Sequence, residues 1–211
     1  MILSKQDISA LSKVARLKLI NAITGIKPAN LIGTISAEGH PNVAVFSSVV
    51  HLGSDPALLG FIMRPQGEVP RHTYENILAT GHYTINHILP SFAERAHYTS
   101  GKFPKEVSEF ARCGLTEAYI EGFQAPFVQE SSCKMGMRFE EAIPIPLNGT
   151  TLIIGAVEHL ILPETVDIHQ EVFDLEATES MGISGLNSYY TLTKYAEYPY
   201  VRPHNIPDFD V

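Results

Sequence analysis

The sequence "NLIGTISAEGHPNVAVFSSVV", residues 30–50, decides the fold class. Its two largely apolar stretches, 30–36 and 42–50, are separated by AEGH, a turn sequence that contains Gly39. Short runs rich in valine and isoleucine on either side of such a turn predict a β-hairpin. The rest of the chain continues this pattern, and we expect six strands, at 30–36, 42–50, 58–64, 82–88, 134–145 and 150–162.

Because consecutive strands form hairpins, we expect antiparallel pairing, which argues against a doubly wound parallel sheet. A small closed or split β-barrel with inserted helices fits this pattern. An amphipathic helix capped by Ser4 is predicted at 4–20. A short helix is predicted with Thr73 as its N-cap and Gly81 as its stop, and 91–113 is expected to be helical in two pieces.

Length and composition favour a single domain over residues 1–211, with a core at about 28–162 and a C-terminal extension at 163–211. The formal net charge of −8 argues against non-specific binding to nucleic acid or to an anionic membrane. No stretch resembles a signal peptide, and no apolar run is long enough to span a bilayer. Two cysteines without a C-x-x-C pair do not suggest a disulfide-built secreted domain, so a cytoplasmic protein is expected.

Ser47 and Ser48 stand side by side in an otherwise apolar strand. With a strand period of two, their side chains face opposite sides of the sheet. Two interpretations are open. The strand ends here and the hydroxyls bind neighbouring backbone groups, or this is the edge of a ligand site, where hydroxyls bind a planar polar group and Phe46 packs against it.

A second group of polar residues surrounds the start of the short helix. Arg64 ends a predicted strand, and Arg71, His72 and Thr73 open the helix. A helix start offers free N–H groups and a favourable dipole to phosphate, and arginine and hydroxyl groups add hydrogen bonds. The alternative is that Thr73 only caps the helix and that the arginines pair with nearby glutamates. Together the two groups suggest a ligand with a phosphate at one end and a flat ring at the other.

Four segments in this order and spacing resemble the flavin reductase-like family of FMN-binding split barrels: GTISAEGHPNVAVFSS, DPALLGFIMR, RHTYENILATGHYTIN and TLIIGAV. The resemblance implies a mainly β, six-stranded antiparallel Greek-key split barrel that forms a homodimer and binds FMN near the dimer interface. By position it assigns the isoalloxazine edge and ribityl chain to Asn42, Phe46, Ser47 and Ser48. It assigns the phosphate to Arg64, Arg71, His72 and Thr73.

The chain departs from the family pattern in two places. His72 stands where members typically have an acidic residue before the threonine. Reductases of two-component monooxygenases often carry Gly-Asp-His at the entry to the later strand, where this chain reads LNGTTLIIG, residues 147–155. The missing histidine is the one that meets the nicotinamide nucleotide.

The resemblance implies an oxidoreductase that passes hydride from NAD(P)H to FMN. No side chain is an evident acid or base, so no catalytic residue is predicted. One alternative is a non-catalytic FMN-binding electron carrier or redox-sensing flavoprotein. Another is an enzyme similar to pyridoxamine-phosphate oxidase, whose second phosphate site would have only Arg138 and Arg202 as loose candidates. The histidine spacings match no zinc signature, and no metal site is expected.

Overall fold

The computed structural model describes residues 1–65, 67, 72–169 and 174–209. Its α-helices are α1 (Lys5–Ala10), α2 (Lys13–Ala22), α3 (His72–Thr80), α4 (Ala93–Tyr98) and α5 (Glu109–Cys113). The strands before α3 are β1 (Lys27–Pro28), β2 (Asn30–Ile35), β3 (Pro41–Phe46), β4 (Val50–Ser54) and β5 (Ala57–Met63). Those after α3 are β6 (His82–His87), β7 (Glu117–Ile120), β8 (Phe123–Val128), β9 (Lys134–Ile145), β10 (Thr150–Ile161), β11 (Met181–Ser184) and β12 (Ser188–Thr191).

Seven strands form one antiparallel sheet in the order β3-β2-β6-β9-β10-β5-β4. The two edge strands, β3 and β4, are consecutive in sequence and are joined by residues 47–49 alone. In a flat sheet these edges would lie roughly 29 Å apart, at about 4.8 Å per strand spacing. The four peptide units from Phe46 to Val50 reach roughly 14 Å at most. The sheet must therefore curl into a barrel.

Apolar side chains fill the barrel and cover part of its outside. The interior cluster comes from β2, β5, β6, β9, β10 and α3, and its members are Ile32, Phe61, Met63, Ile77, Tyr83, Ile85, Met137 and Ile153. A second cluster packs the opposite faces of β2 and β3, through Leu31 and Val43, against Phe92, Phe110 and Ile183. α3 lies against β2 and β3, and this packing positions the start of the helix beside the edge of the sheet.

The predicted mainly β fold with inserted helices is confirmed, but six strands is an undercount. Twelve strands form a seven-, a three- and a two-stranded sheet among the described residues. The prediction of one strand at 42–50 is wrong beyond Phe46, because the chain leaves one edge there and joins the opposite edge at Val50. The 91–113 helix in two pieces is confirmed as α4 and α5, and Gly81, with φ of 74°, ends α3 as expected.

The N-terminal helix predicted at 4–20 is two helices. Ser4 caps α1 in a capping box with Asp7, as the sequence indicates. Ser12 then accepts a hydrogen bond from the Ala15 N–H and caps α2, so the chain starts a second helix instead of continuing the first. No residue of either helix is buried. No helix within the described ranges has the length and apolar character needed to cross a membrane.

The hairpin of β7 and β8 was missed by the sequence analysis. Gly122, with φ of 80°, forms its turn. Polar side chains of β6 fasten it to the barrel: the Thr84 hydroxyl donates to the Pro126 carbonyl at 2.7 Å, and the Val128 N–H donates to Asn86 Oδ1 at 2.9 Å. The contact is close because Gly33 has no side chain, and a Cβ there would lie 2.2 Å from the Pro126 oxygen.

Candidate functional site

The two groups of residues that the sequence assigned to opposite ends of a ligand meet between β3 and α3. Asn42, on β3, and Thr73, in the first turn of α3, are 8 % and 6 % exposed. The Asn42 amide lies 3.2 Å from the Thr73 hydroxyl, although the two residues are 31 positions apart in the chain. The structure thus brings these two predicted site residues into direct contact.

Thr73 does not occupy the N-cap position that the sequence analysis gave it. The helix begins at His72, so Thr73 is its second residue and its side chain points inward to Asn42. The prediction of Thr73 as N-cap is wrong, because a buried amide partner on the neighbouring strand draws the hydroxyl into the domain. His72 and Asn76 of the same helix line the recess described below.

Asn42 belongs to a buried polar network that links four elements. We assign its amide so that Oδ1 accepts from the Thr73 hydroxyl and the Val43 N–H, both at 3.2 Å, and Nδ2 donates to Glu109 Oε2 at 3.3 Å. This orientation gives every donor an acceptor. Beside it, Asn76 Nδ2 donates to the Thr34 hydroxyl at 3.1 Å. β2, β3, α3 and α5 are therefore joined by hydrogen bonds at the start of α3.

A narrow recess opens next to this network. It is bounded by the β2–β3 turn, by His72 and Asn76 of α3, and by the segment that contains Lys105 and Glu109. Lys105 forms an exposed ion pair with Glu38 at 3.3 Å. Imidazole, ammonium and amide groups at a helix start are donors suited to an anion such as phosphate.

The remaining cationic residues predicted for the phosphate site are placed as follows. Arg64 is exposed and directly follows the end of β5, on the connection that leads towards α3. His72 is half-buried and opens α3. The prediction for Arg71 lies outside the described residues.

Ser48 has a backbone partner. Its hydroxyl accepts from the Ile62 N–H at 3.1 Å and donates to the Ile62 carbonyl at 3.3 Å. Since Val50 pairs with Gly60, residue 48 falls opposite Ile62, two residues further along the ladder, and the serine side chain replaces the missing backbone pair. The strand-end interpretation therefore accounts for Ser48, and its predicted contact with a flavin stays a prediction.

Ser47 and Phe46 have different surroundings. Ser47 is half-buried, and its hydroxyl forms no hydrogen bond with the residues that the structure describes. Phe46 is half-buried and packs edge-on against Phe61 of the barrel interior, with ring centroids 5.1 Å apart. Of the two serines, Ser47 has the hydroxyl that is free to bind a ligand.

Sequence reasoning missed Glu109, which is 6 % exposed at the start of α5. An acidic residue in the first turn of a helix is ordinarily explained by the helix dipole and by exposure to solvent. Only the approach of α5 to β3 shows that this carboxylate lies under the site. No local pattern in the sequence could have indicated it.

The chain belongs to the family of flavin reductase like domains, whose model matches residues 26–174. It is similar to the solved structure of a candidate flavin reductase with a split barrel domain from Shewanella frigidimarina, at 43% identity and a TM-score of 0.91. That match covers 95% of this chain and all of the other. The predicted split-barrel class is thereby confirmed.

More distant proteins share the fold. Flavoredoxin of Desulfovibrio vulgaris matches at 19% identity with a TM-score of 0.70, over 83% of this chain and 91% of its own. Component B of nitrilotriacetate monooxygenase from Bacillus cereus also has 19% identity, with a TM-score of 0.82, over 94% and 98% of the two chains. An uncharacterized relative from Halalkalibacterium halodurans is 28% identical over 200 residues, which are 92% of this chain and 93% of that protein.

Proposed function

We propose that this protein binds FMN along β3 and the crossing to β4, with the flavin phosphate at the start of α3. The observation that carries the proposal is the contact between Asn42 and Thr73, 3.2 Å apart. This contact joins two segments of the chain. By resemblance to the family, the segment of Asn42 is assigned to the flavin ring and the segment of Thr73 to the phosphate. Family membership supports a flavin as the ligand.

The chemistry of the available groups fits such a ligand. The first turn of α3 and the side chain of His72 supply donors for a phosphate, and Arg64 supplies positive charge. The Ser47 hydroxyl and the half-buried crossing after Phe46 supply polar groups near a ring. When bound, a flavin accepts hydride from a reduced nicotinamide nucleotide, and the protein holds, orients and shields it. We propose this oxidoreductase activity, with NAD(P)H as donor.

The first experiment is a visible absorption spectrum of the purified protein, followed by chromatography of whatever heating releases. A yellow protein that yields FMN supports the proposal, and anaerobic mixing with NADH and NADPH then tests the donor. A colourless protein that takes up no added FMN contradicts the ligand and every site residue named above.

The phosphate site is tested separately by the double substitution Arg71→Ala and Thr73→Ala. It is expected to weaken FMN binding by about 2–4 kcal/mol, through the loss of charge-assisted and neutral hydrogen bonds. Riboflavin, which lacks the phosphate, should bind the variant and the natural protein alike. Unchanged FMN affinity would place the phosphate elsewhere.

An electron carrier is the second candidate, and one observation favours it. The turn between β9 and β10 carries no histidine where nicotinamide-dependent reductases of the family have one. In the anaerobic experiment, a carrier would be reduced by NADH or NADPH no faster than free FMN. A rate well above that of free FMN would support the reductase.

The alternative of an enzyme similar to pyridoxamine-phosphate oxidase has weaker support. It needs a second phosphate site, and Arg138 is already bound by Glu140 at 2.7 Å and Glu158 at 2.9 Å. Arg202 lies exposed in the C-terminal tail, after the last strand.

We also propose that the protein is a homodimer. The exposed apolar residues of the edge strand β4, Val50 and Leu52, and of α2, Val14, Leu17 and Ile20, are surfaces that a second copy could cover.

A further inference from the structure

Glu109 is a buried carboxylate that forms no ion pair with the residues that the structure describes. It is 6 % exposed. Burial raises the pKa of Glu109, while hydrogen bonds from its own N–H and that of Val43 act in the opposite direction. A carboxylate is costly to bury, and its hydrogen-bond partners must therefore compensate.

Those partners lie on β3, at the free edge of the seven-stranded sheet. The Val43 N–H points away from β2 and towards Glu109 Oε2, at 3.4 Å. The Asn42 amide donates to the same oxygen at 3.3 Å. Glu109 thus determines which way the Asn42 amide faces. Because Glu109 is an acceptor, the Nδ2 group of Asn42 turns towards it, and Oδ1 then turns towards α3.

The orientation of Asn42 in turn determines where the first turn of α3 is held. Its Oδ1 accepts from the Thr73 hydroxyl at 3.2 Å. A second link, from Asn76 to Thr34 at 3.1 Å, holds the next turn of the same helix against β2. The helix start is therefore fixed by two polar contacts, and one of them depends on Glu109.

We propose that Glu109 is a positioning residue for the flavin-phosphate site, acting through Asn42 and Thr73 on the first turn of α3. This inference rests on the proposed function. Glu109 contributes no group to the ligand. It keeps the helix start at the distance and orientation at which the phosphate is bound, and so gives the protein its preference for FMN over riboflavin.

The test compares Glu109→Gln with the natural protein by flavin fluorescence titration with FMN and with riboflavin. Glutamine keeps the size of the side chain but replaces the charged acceptor with a neutral amide oxygen, which accepts from the Asn42 amide and the Val43 N–H more weakly. We expect FMN affinity to fall five- to tenfold and riboflavin affinity to change less than twofold. Glu106→Gln is the matched control, because it removes one exposed negative charge three residues away in the same segment. It should leave both affinities unchanged.

A rescue variant separates positioning from a general structural role. In Asn42→Asp combined with Glu109→Gln, the new amide can donate to the new carboxylate, which still accepts from the Thr73 hydroxyl. This pair should recover most of the FMN preference that Glu109→Gln loses. If Glu109→Gln does not fold, Glu109→Asp, which keeps the charge but draws the carboxylate back from the Asn42 amide by one methylene, is expected to lose the same preference.

The outcomes distinguish this inference from the function on which it rests. If the natural protein binds no flavin, the proposed function fails. If it prefers FMN and Glu109→Gln keeps that preference, or loses affinity for both flavins equally, the positioning role alone is overturned. An equal loss of preference in Glu106→Gln would also overturn it, because the effect would then be one of overall charge.

Discussion

At the scale of single residues, Ser48 performs a task that normally belongs to the backbone. The barrel has to be closed where the chain crosses from one sheet edge to the other, and regular pairing with β5 begins only at Val50. The Ser48 hydroxyl both accepts from and donates to the backbone of Ile62. It therefore extends the ladder to Ile62 with a side chain.

Replacing Ser48 by alanine is expected to lower the free energy of unfolding by about 1–2 kcal/mol, because the Ile62 N–H and carbonyl both lose their partner. Urea denaturation followed by circular dichroism measures the loss. Ser47→Ala is the control and should cost less than about 0.5 kcal/mol, since that hydroxyl has no partner among the described residues. Equal losses in the two variants would show that the Ile62 contact is not what matters.

His87 is a residue whose ionisation affects stability. It is half-buried at the end of β6, where Nδ1 lies 2.7 Å from the Ser180 hydroxyl. Burial lowers the pKa of His87 to about 4, whereas an unfolded histidine titrates near 6.5. The unfolded chain therefore takes up this proton first as the pH falls, so the contribution of His87 to stability is complete above pH 6.5 and is lost towards pH 4.

We expect His87→Asn to reduce the loss of unfolding free energy between pH 7 and pH 4 by up to about 3 kcal/mol relative to the natural protein. Urea denaturation of both proteins at several pH values gives this difference. The contributions of the carboxylates to the pH dependence are the same in both proteins and cancel in the comparison. His204→Asn, at an exposed position in the tail, should retain the full pH dependence. The same retention in His87→Asn would mean that His87 titrates normally in the folded state.

At the scale of elements, the attachment of the β7–β8 hairpin depends on a missing side chain. A Cβ on Gly33 would lie 2.2 Å from the Pro126 carbonyl oxygen and 2.6 Å from the Thr84 hydroxyl. Both atoms belong to the hydrogen bond that fastens β8 to β6. If the backbone of β8 moved away to make room for a Cβ, the hydrogen bond between Thr84 and Pro126 would be lost.

Gly33→Ala is therefore expected to destabilise the protein by about 2–4 kcal/mol through displacement of the hairpin. Thermal unfolding measures the effect, and faster amide hydrogen exchange in 117–128 would locate it. Gly53→Ala, in strand β4, is the control, because a Cβ there comes no closer than 3.4 Å to a neighbour. If the two variants are equally stable, the close approach at Gly33 is not a constraint on the fold.

The elements also show what the sequence could predict. Where hydrophobic pattern and turn chemistry act locally, as in the β9–β10 hairpin, the predicted bounds are correct to within one residue. The predicted stop of α3 at Gly81 is also correct, but the helix begins at His72, two residues earlier than an N-cap at Thr73 implies. For β3, Ser47 and Ser48 left a strand end as only one of two open interpretations, because the break after Phe46 is imposed by barrel closure and not by the local sequence. The role of Glu109 was missed for a similar reason, since its partners are 66 and 67 positions away in the chain.

At the scale of the whole molecule, apolar surface remains uncovered on the single chain. Val14, Leu17 and Ile20 of α2 are between 42% and 62% exposed, and no residue of α1 or α2 is buried. Two consecutive capped helices that bury nothing in their own chain contribute little to its stability alone. A second copy would give them a surface to pack against.

We expect a particle of about 46 kDa by sedimentation or light scattering, which is twice the 23.2 kDa of one chain. The interface is expected to involve the exposed apolar face of α2, so Leu17→Glu with Ile20→Glu should shift the equilibrium towards the monomer. The control is Lys18→Glu, which introduces a negative charge at the intervening position on the same helix. A mass of about 23 kDa for the natural protein at micromolar concentration would contradict the dimer.

The sheet order also has a consequence for how the chain is made. β5 and β6 are not neighbours in the barrel, because β9 and β10 lie between them. While the ribosome has produced only the residues before Lys134, the strands of the barrel can form no more than two partial sheets, β3-β2-β6 and β5-β4. The sides of β5 and β6 that later pair with β10 and β9 are then open to other chains. The nascent protein is therefore exposed to misassembly until its third quarter has been synthesised, and a single late hairpin ends that period.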